Sequence, residues 1–183
     1  MTRLFLRKEN NKNNMAIIKD VELHWIKCDP ENPVRYQGKL SNPAKWSVQI
    51  RTSDKAEKAL WEKEYGMKMT ADEQDGAIFW RTSLTTFAYR RGDDGNEDTT
   101  RLNKQVTTVL ADLSAVDPKT IGNGSVGNVS FYVKADKSSR SLKGIQLTKL
   151  IKYDNTDDDE FEASDDFEVL DQEGNHLSEE DIY

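Results

Sequence analysis

Charge is divided along this chain so unevenly that only part of it is suited to fold. Residues 154–183 carry 14 Asp and Glu and no Lys or Arg, so all 26 basic residues fall in the first 153 positions, against 19 acidic ones. The formal net charge of −7 is therefore a property of the C-terminal segment, and the preceding body is a cation of +7. A segment with that charge density and so few apolar residues cannot bury enough surface to offset the entropy of ordering, which predicts a disordered acidic tail. A flexible chain of 30 residues spans roughly 30 Å on average, from about 5–6 Å × √n. That reach lets the tail fold back over the positive body and compete there with a polyanion.

The remaining bulk features narrow the class. Hydrophobic residues make up 36% of the chain, enough for one modest core. Cys28 is the one cysteine, so there is no internal disulfide and no paired-cysteine metal or redox motif; it reads as a small core residue in a reducing, cytoplasmic setting. No run approaches the roughly 20 apolar residues of a membrane span. The Asn- and Lys-rich residues 1–14 lack the apolar stretch of a signal peptide and read as a disordered extension ahead of Met15, where a more protein-like segment begins. The expected organisation is thus an extension at 1–14, a folded domain at 15–153 and an acidic tail at 154–183.

Within the body, periodicity of two dominates. Residues 17–28 alternate Val21, Leu23 and Trp25 against Glu22, His24 and Ile26, and residues 45–52 alternate Trp46, Val48 and Ile50 against Lys45, Ser47, Gln49 and Arg51. A long strand is predicted over 77–91, a polar turn over 92–98, and shorter strands over 106–110, 126–134 and 144–153. One helix is predicted at 54–65. Asp54 and Glu57 have capping-box spacing, Ala56, Ala59, Leu60 and Lys63 recur at helical spacing, and Gly66 suits the C′ position. About six short strands with a single helix predict a mainly-β fold closed into a small barrel. Trp25, Trp46, Trp80 and Phe131 are the expected core aromatics, with Phe79 and Phe87 leaning the same way.

Two motif matches fail on their geometry. Gly122, Gly124 and Gly127 satisfy the spacing of a dinucleotide fingerprint, but a β-branched alternating run follows them instead of a helix, so they read as a tight entry into a strand. Asp94, Asn96 and Asp98 imitate the start of a calcium loop, but Thr99 stands where Gly is needed and Gln105 where a bidentate Glu is needed. No cofactor and no metal are expected. With only His24 and His176 available, no histidine-based catalytic set is evident either, and an enzyme is not the expected reading.

The positive signal is the interleaving of basic and aromatic residues. Single-stranded nucleic acid is held by a cationic groove that tracks phosphates and by rings on which bases stack. Arg81, Tyr89 and Arg91 share a strand face with Phe79 and Phe87, and Tyr132 and Lys134 share the polar face of another strand. Lys45, Arg51, Arg90, Lys104, Lys137, Arg140 and Lys143 add charge at strand ends and loops. These twelve basic and tyrosine residues are the candidate DNA contacts. In the tail, Phe161, Phe167, Asp181, Ile182 and Tyr183 have the character of a short acidic motif with apolar anchors, suited to docking on a basic, apolar pocket of a partner.

The stretch TIGNGS at 120–125, the strand–loop–strand of 126–152 and the acidic tail ending in an aromatic residue together resemble the phage-encoded single-stranded DNA-binding proteins. The resemblance runs loosely from Met15 to Tyr183 and is strongest after Val106. It implies an OB-fold barrel with a helix against it, binding single strands without strong sequence preference. It further implies a tail that occupies the DNA groove when DNA is absent and recruits DNA polymerase and helicase. Tyr183 takes the place of the family's usual terminal Phe. The implied role is coating and protecting single strands during phage DNA replication and recombination, in the host cytoplasm, with a homodimer as a possible state. A rival from another class is an acidic-tailed chaperone or assembly protein for basic partners, whose binding tail deletion would weaken. An RNA-binding OB protein is a second rival, separable by direct DNA/RNA competition.

Overall fold

The computed structural model describes residues 14–153. The proposed tail, with Phe161, Phe167, Asp181, Ile182 and Tyr183, and residues 1–13 of the proposed extension lie outside the described residues. Nine strands and one α-helix follow in chain order: β1 Asn14–Lys27, β2 Lys45–Thr52, α1 Lys55–Tyr65, β3 Thr70–Gln74, β4 Ala77–Phe87, β5 Tyr89–Arg91, β6 Glu97–Leu102, β7 Thr107–Leu110, β8 Ser125–Val133 and β9 Arg140–Lys149. Seven strands form one sheet in the order β3-β4-β2-β1-β8-β9-β7, and β5 and β6 form a separate ribbon. Neighbours in the large sheet are antiparallel except β7 with β9.

The fold is mainly β with one helix, as the periodicity predicts, but the expected closed barrel is corrected: the sheet stays open. Curvature brings β4 near β9, yet the two meet through a side-chain hydrogen bond, Thr86 Oγ1 to Ser141 Oγ at 3.0 Å, and not through a backbone ladder. β3 takes the outer edge of β4 from Ala77 to Arg81 and β7 that of β9 from Gly144 to Leu147, so closure would fall to the short free stretches 82–87 and 140–143, which this side-chain bond bridges.

The core forms where alternation is cleanest. In β2, Trp46, Val48 and Ile50 are fully buried, and Leu23, Leu84, Val129, Phe131 and Ile145 pack with them. Tyr65, from the last turn of α1, meets the Phe131 ring edge-on at 5.2 Å. Cys28 is buried as expected, and burial pushes its thiol up to about 12, keeping it neutral.

The helix begins as its sequence dictates. The Asp54 carboxylate accepts the Ala56 N–H at 2.7 Å, while Glu57 accepts the Thr52 hydroxyl at 2.6 Å in place of the Asp54 N–H. Gly66 closes it in the left-handed conformation, φ 64. The residue that seats the helix is Trp61, 3% exposed; Leu60, on the face that the spacing suggested, is 51% exposed.

Four aromatic assignments are corrected. Trp25 is 57% exposed, not core, because a β-bulge between His24 and Lys27 shifts the phase of β1 and returns Cys28, not Lys27, to the interior. Phe87 is 43% exposed and Phe79 half-buried on the outward face of β4. Trp80 is half-buried under α1, with Lys58 Nζ 6.0 Å from its ring. The long strand expected over 77–91 is broken at Ala88, which is fully buried and donates its N–H to Ala44 O.

Candidate nucleic-acid interface

Residues of one strand face point the same way, so the outward residues of β4 form a row with Phe79 near one end and Phe87 at the other. Pairing with β2 sets cations beside both rings. Lys45 stands opposite Phe87, with its Nζ 5.0 Å from the ring centroid, and the Arg51 guanidinium lies 4.6 Å over Phe79. Arg91, just past the break in the strand, also reaches Phe87, at 5.9 Å. A cation over a ring face is held by the ring's quadrupole while its outer hydrogens stay available to a phosphate, as at Lys45; Arg51 also donates to Gln49 Oε1 at 2.9 Å and Gln74 Oε1 at 3.4 Å.

Phe87 is the shared wall of two adjoining depressions. The larger, about 810 Å³, is lined by Tyr89, Arg90 and Arg91 of β5 and by the loop between β1 and β2. That loop is fastened to the β5–β6 ribbon by Arg35, which donates to Glu97 Oε1 at 2.5 Å, while Glu97 Oε2 accepts the Ala44 N–H at 2.7 Å. Asn103 fixes the corner by donating to the carbonyls of both Phe87 and Tyr89, at 3.0 and 3.1 Å. The smaller, about 340 Å³, is lined by Phe87, Lys104, Tyr132 and Lys143. Lys143 Nζ sits 5.3 Å from the Tyr132 ring centroid, and among the described residues no lining side chain of this depression is acidic.

Seven of the twelve candidate contacts are therefore gathered around Phe87: Lys45, Tyr89, Arg90, Arg91, Lys104, Tyr132 and Lys143. Arg51 and Arg81 lie at the Phe79 end. Arg81 donates to Asp72 of β3 at 3.0 Å, and the Asp72 carboxyl is held below its ordinary range, first by the Glu73 N–H and then by Arg81. Lys134 lies in the β8–β9 turn, paired with Asp136 at 3.9 Å and outside both depressions.

Lys137 and Arg140 are placed elsewhere. Lys137 Nζ donates to Lys63 O at 2.8 Å, and Arg140 Nη1 donates to the carbonyls of Gly66 at 2.7 Å and Tyr65 at 3.2 Å. These are the unpaired carbonyls at the end of α1, so both cations cap the helix and do not line the depressions around Phe87.

Phe79 and Phe87 are the functional candidates that a core assignment misses. Their signal is phase: both alternate with Arg81 and Arg91, opposite to Leu84 and the buried Ala88. Arg35, Glu97 and Asn103 carry no periodic signal, since each acts through a contact distant in sequence.

The carboxylates of the calcium-like turn are engaged by the turn itself. Asp94 accepts the backbone and side-chain N–H groups of Asn96, and Asp98 accepts the N–H and hydroxyl of Thr100. Among the described residues no group of three His, Cys, Asp or Glu is placed to hold a metal ion, and no helix is long and apolar enough to cross a membrane. In comparisons with known proteins, no family model, no curated protein and no solved structure matches this chain.

Proposed function

We propose that this chain is a single-stranded DNA-binding protein of the phage-encoded type, with its open, coiled sheet acting as an OB-fold-like platform. The observation that carries the reading is the pair of depressions meeting at Phe87, with Lys45 and Arg91 set against its ring and Lys143 set against Tyr132. Such a track offers phosphates a row of cations and bases a row of rings.

In this reading binding is stoichiometric coating of single strands during replication and recombination, in the host cytoplasm. Cations displace counterions from phosphates, so affinity falls steeply with salt. The acidic tail competes for the same track and recruits replication proteins such as DNA polymerase and helicase through Phe161, Phe167, Asp181, Ile182 and Tyr183.

The test is a salt-titrated binding assay with labelled oligo-dT, comparing the full chain with a form ending at Tyr153. The expected result is tighter binding by the shortened form, with a gap that narrows as salt screens the tail. Absence of binding by either form at low salt would overturn the reading in favour of the acidic-tailed chaperone. Preference for an RNA strand of equal sequence would reassign the ligand.

A further inference from the structure

We infer that Trp25 is a nucleobase-stacking platform held in position by Asn123, extending the Phe87 track across the sheet onto β1. The inference rests on the single-strand reading and names a contact beyond it.

Trp25 combines two features that, among the described apolar residues, it shares only with Leu113. Its backbone is left-handed, φ 50, a region that crowds Cβ against the following carbonyl and is unfavourable for a bulky side chain. Its indole is 57% exposed, so the strain is not offset by core packing. β1 carries a second bulge in which the left-handed residue is Asp20, φ 51, a type that tolerates that conformation. A bulge in β1 therefore does not call for tryptophan. Strain kept at an exposed aromatic residue points to work done at the surface.

The Gly-Asn-Gly segment supplies the support. Asn123 Oδ1 accepts the Trp25 N–H at 2.7 Å. On either side, Gly122 donates to Ile151 O at 2.7 Å and Gly124, φ 86, donates to Leu23 O at 2.9 Å. A Cβ on Gly122 would lie 3.0 Å from Ile151 O. The glycines let this segment lie against its neighbours closely enough to present Asn123 to the bulge. The motif that fails as a cofactor fingerprint thus fixes the backbone from which the indole projects.

Register gives the location. Lys27, exposed, pairs with Ser47 of β2, and two residues along β2 Lys45 pairs with Phe87 of β4. Trp25 is thus two strands across from Phe87 and about three residues displaced along them, roughly 14 Å away at about 4.8 Å per strand and 3.3 Å per residue. The outward β2 residues between them are Ser47 and Gln49, neither of them acidic.

The test uses the full-length protein and oligo-dT, read by anisotropy of the labelled strand and by intrinsic fluorescence. Trp46 and Trp61 are buried and Trp80 half-buried, so Trp25 is the tryptophan best placed to be quenched by a stacked base. Trp25→Ala is expected to weaken binding on the order of tenfold and to remove most of the quenching, while Trp25→Phe keeps most of the affinity. Trp25→Asn is expected to lose affinity while melting at the same or a higher temperature, a combination that a merely structural residue does not give. Asn123→Ala is expected to weaken binding in the same direction. If the wild type binds oligo-dT and Trp25→Ala binds within twofold of it, this inference is overturned and the single-strand reading stands. If the wild type does not bind, both fall together.

Discussion

Arg140 and Lys143 lie three residues apart in β9 and face opposite ways. Arg140 is turned toward the end of α1, where its guanidinium is spent on the carbonyls of Tyr65 and Gly66. Lys143 is turned outward over the Tyr132 ring, beside Lys104 and Phe87. The same contrast separates Lys137, bonded to Lys63 O, from Lys45, set against Phe87. A cation whose donors are taken up by main-chain oxygens holds the body together. A cation that rests on a ring keeps donors free for a phosphate. The two sets should therefore separate cleanly under mutation, one in stability and the other in binding.

The hardest test of the structural set is Gly66→Ala. Gly66 has φ 64, and a Cβ there would lie 2.4 Å from the Lys137 carbonyl oxygen. Backbone meets backbone at that point, so neither side can give way cheaply. The expected cost is about 2–4 kcal/mol of stability, measured by urea unfolding. Affinity of the folded fraction for oligo-dT should be retained. A large loss of affinity without loss of stability would show that this end of α1 belongs to the interface.

Phe87→Ala tests the binding set at its centre. Loss of one stacking ring is expected to cost about 1–3 kcal/mol of single-strand affinity, read by equilibrium anisotropy. Because Phe87 is 43% exposed, the unfolding midpoint should move little. A shift comparable to a core truncation would mean that the ring serves packing after all.

Arg140→Ala sharpens the contrast. It leaves the last carbonyls of α1 short of a charged donor and is expected to cost about 1–2 kcal/mol of stability. The slope of log affinity against log salt should not change, because no phosphate contact is removed.

How far such distinctions were legible beforehand depends on whether they rest on local pattern or on distant pairing. β2 was readable to the residue, since Trp46, Val48 and Ile50 alternate with polar neighbours without interruption. The start and stop of α1 were readable from Asp54 and Gly66. β3 and β6 were not, because TADEQ and EDTTRL bury no large apolar side chain and so show no alternation. The hint available for β3 was Asp75-Gly76, a two-residue hairpin signal, with both residues at positive φ between Gln74 and Ala77. Trp25 was misplaced for a related reason: one bulge reverses the phase, and periodicity assumes that none is present. At the candidate interface the residue types were legible but their allegiance was not. The KSSR loop looks like a phosphate-binding loop until α1 is seen to end against it.

The smallest expected effect is the most discriminating. Lys143→Ala removes a cation whose contacts are the Tyr132 ring and the Met15 sulfur, the latter a weak acceptor at 3.2 Å. Neither contact is worth much to the fold, so stability should stay within about 0.5 kcal/mol, the usual range for a surface position. In binding, the loss of one phosphate contact should lower the magnitude of the salt slope by about 0.7, the increment for one charge on a single strand. Affinity near physiological salt should fall only modestly, and equally for strands of different sequence, since a phosphate contact carries no base information. Arg140→Ala measured alongside supplies the control: a similar loss of charge three residues away, with the slope unchanged. If both variants lower the slope equally, net charge is what the strand feels, and the track around Phe87 has no special standing. If only Lys143→Ala lowers it, the phosphates follow the rings.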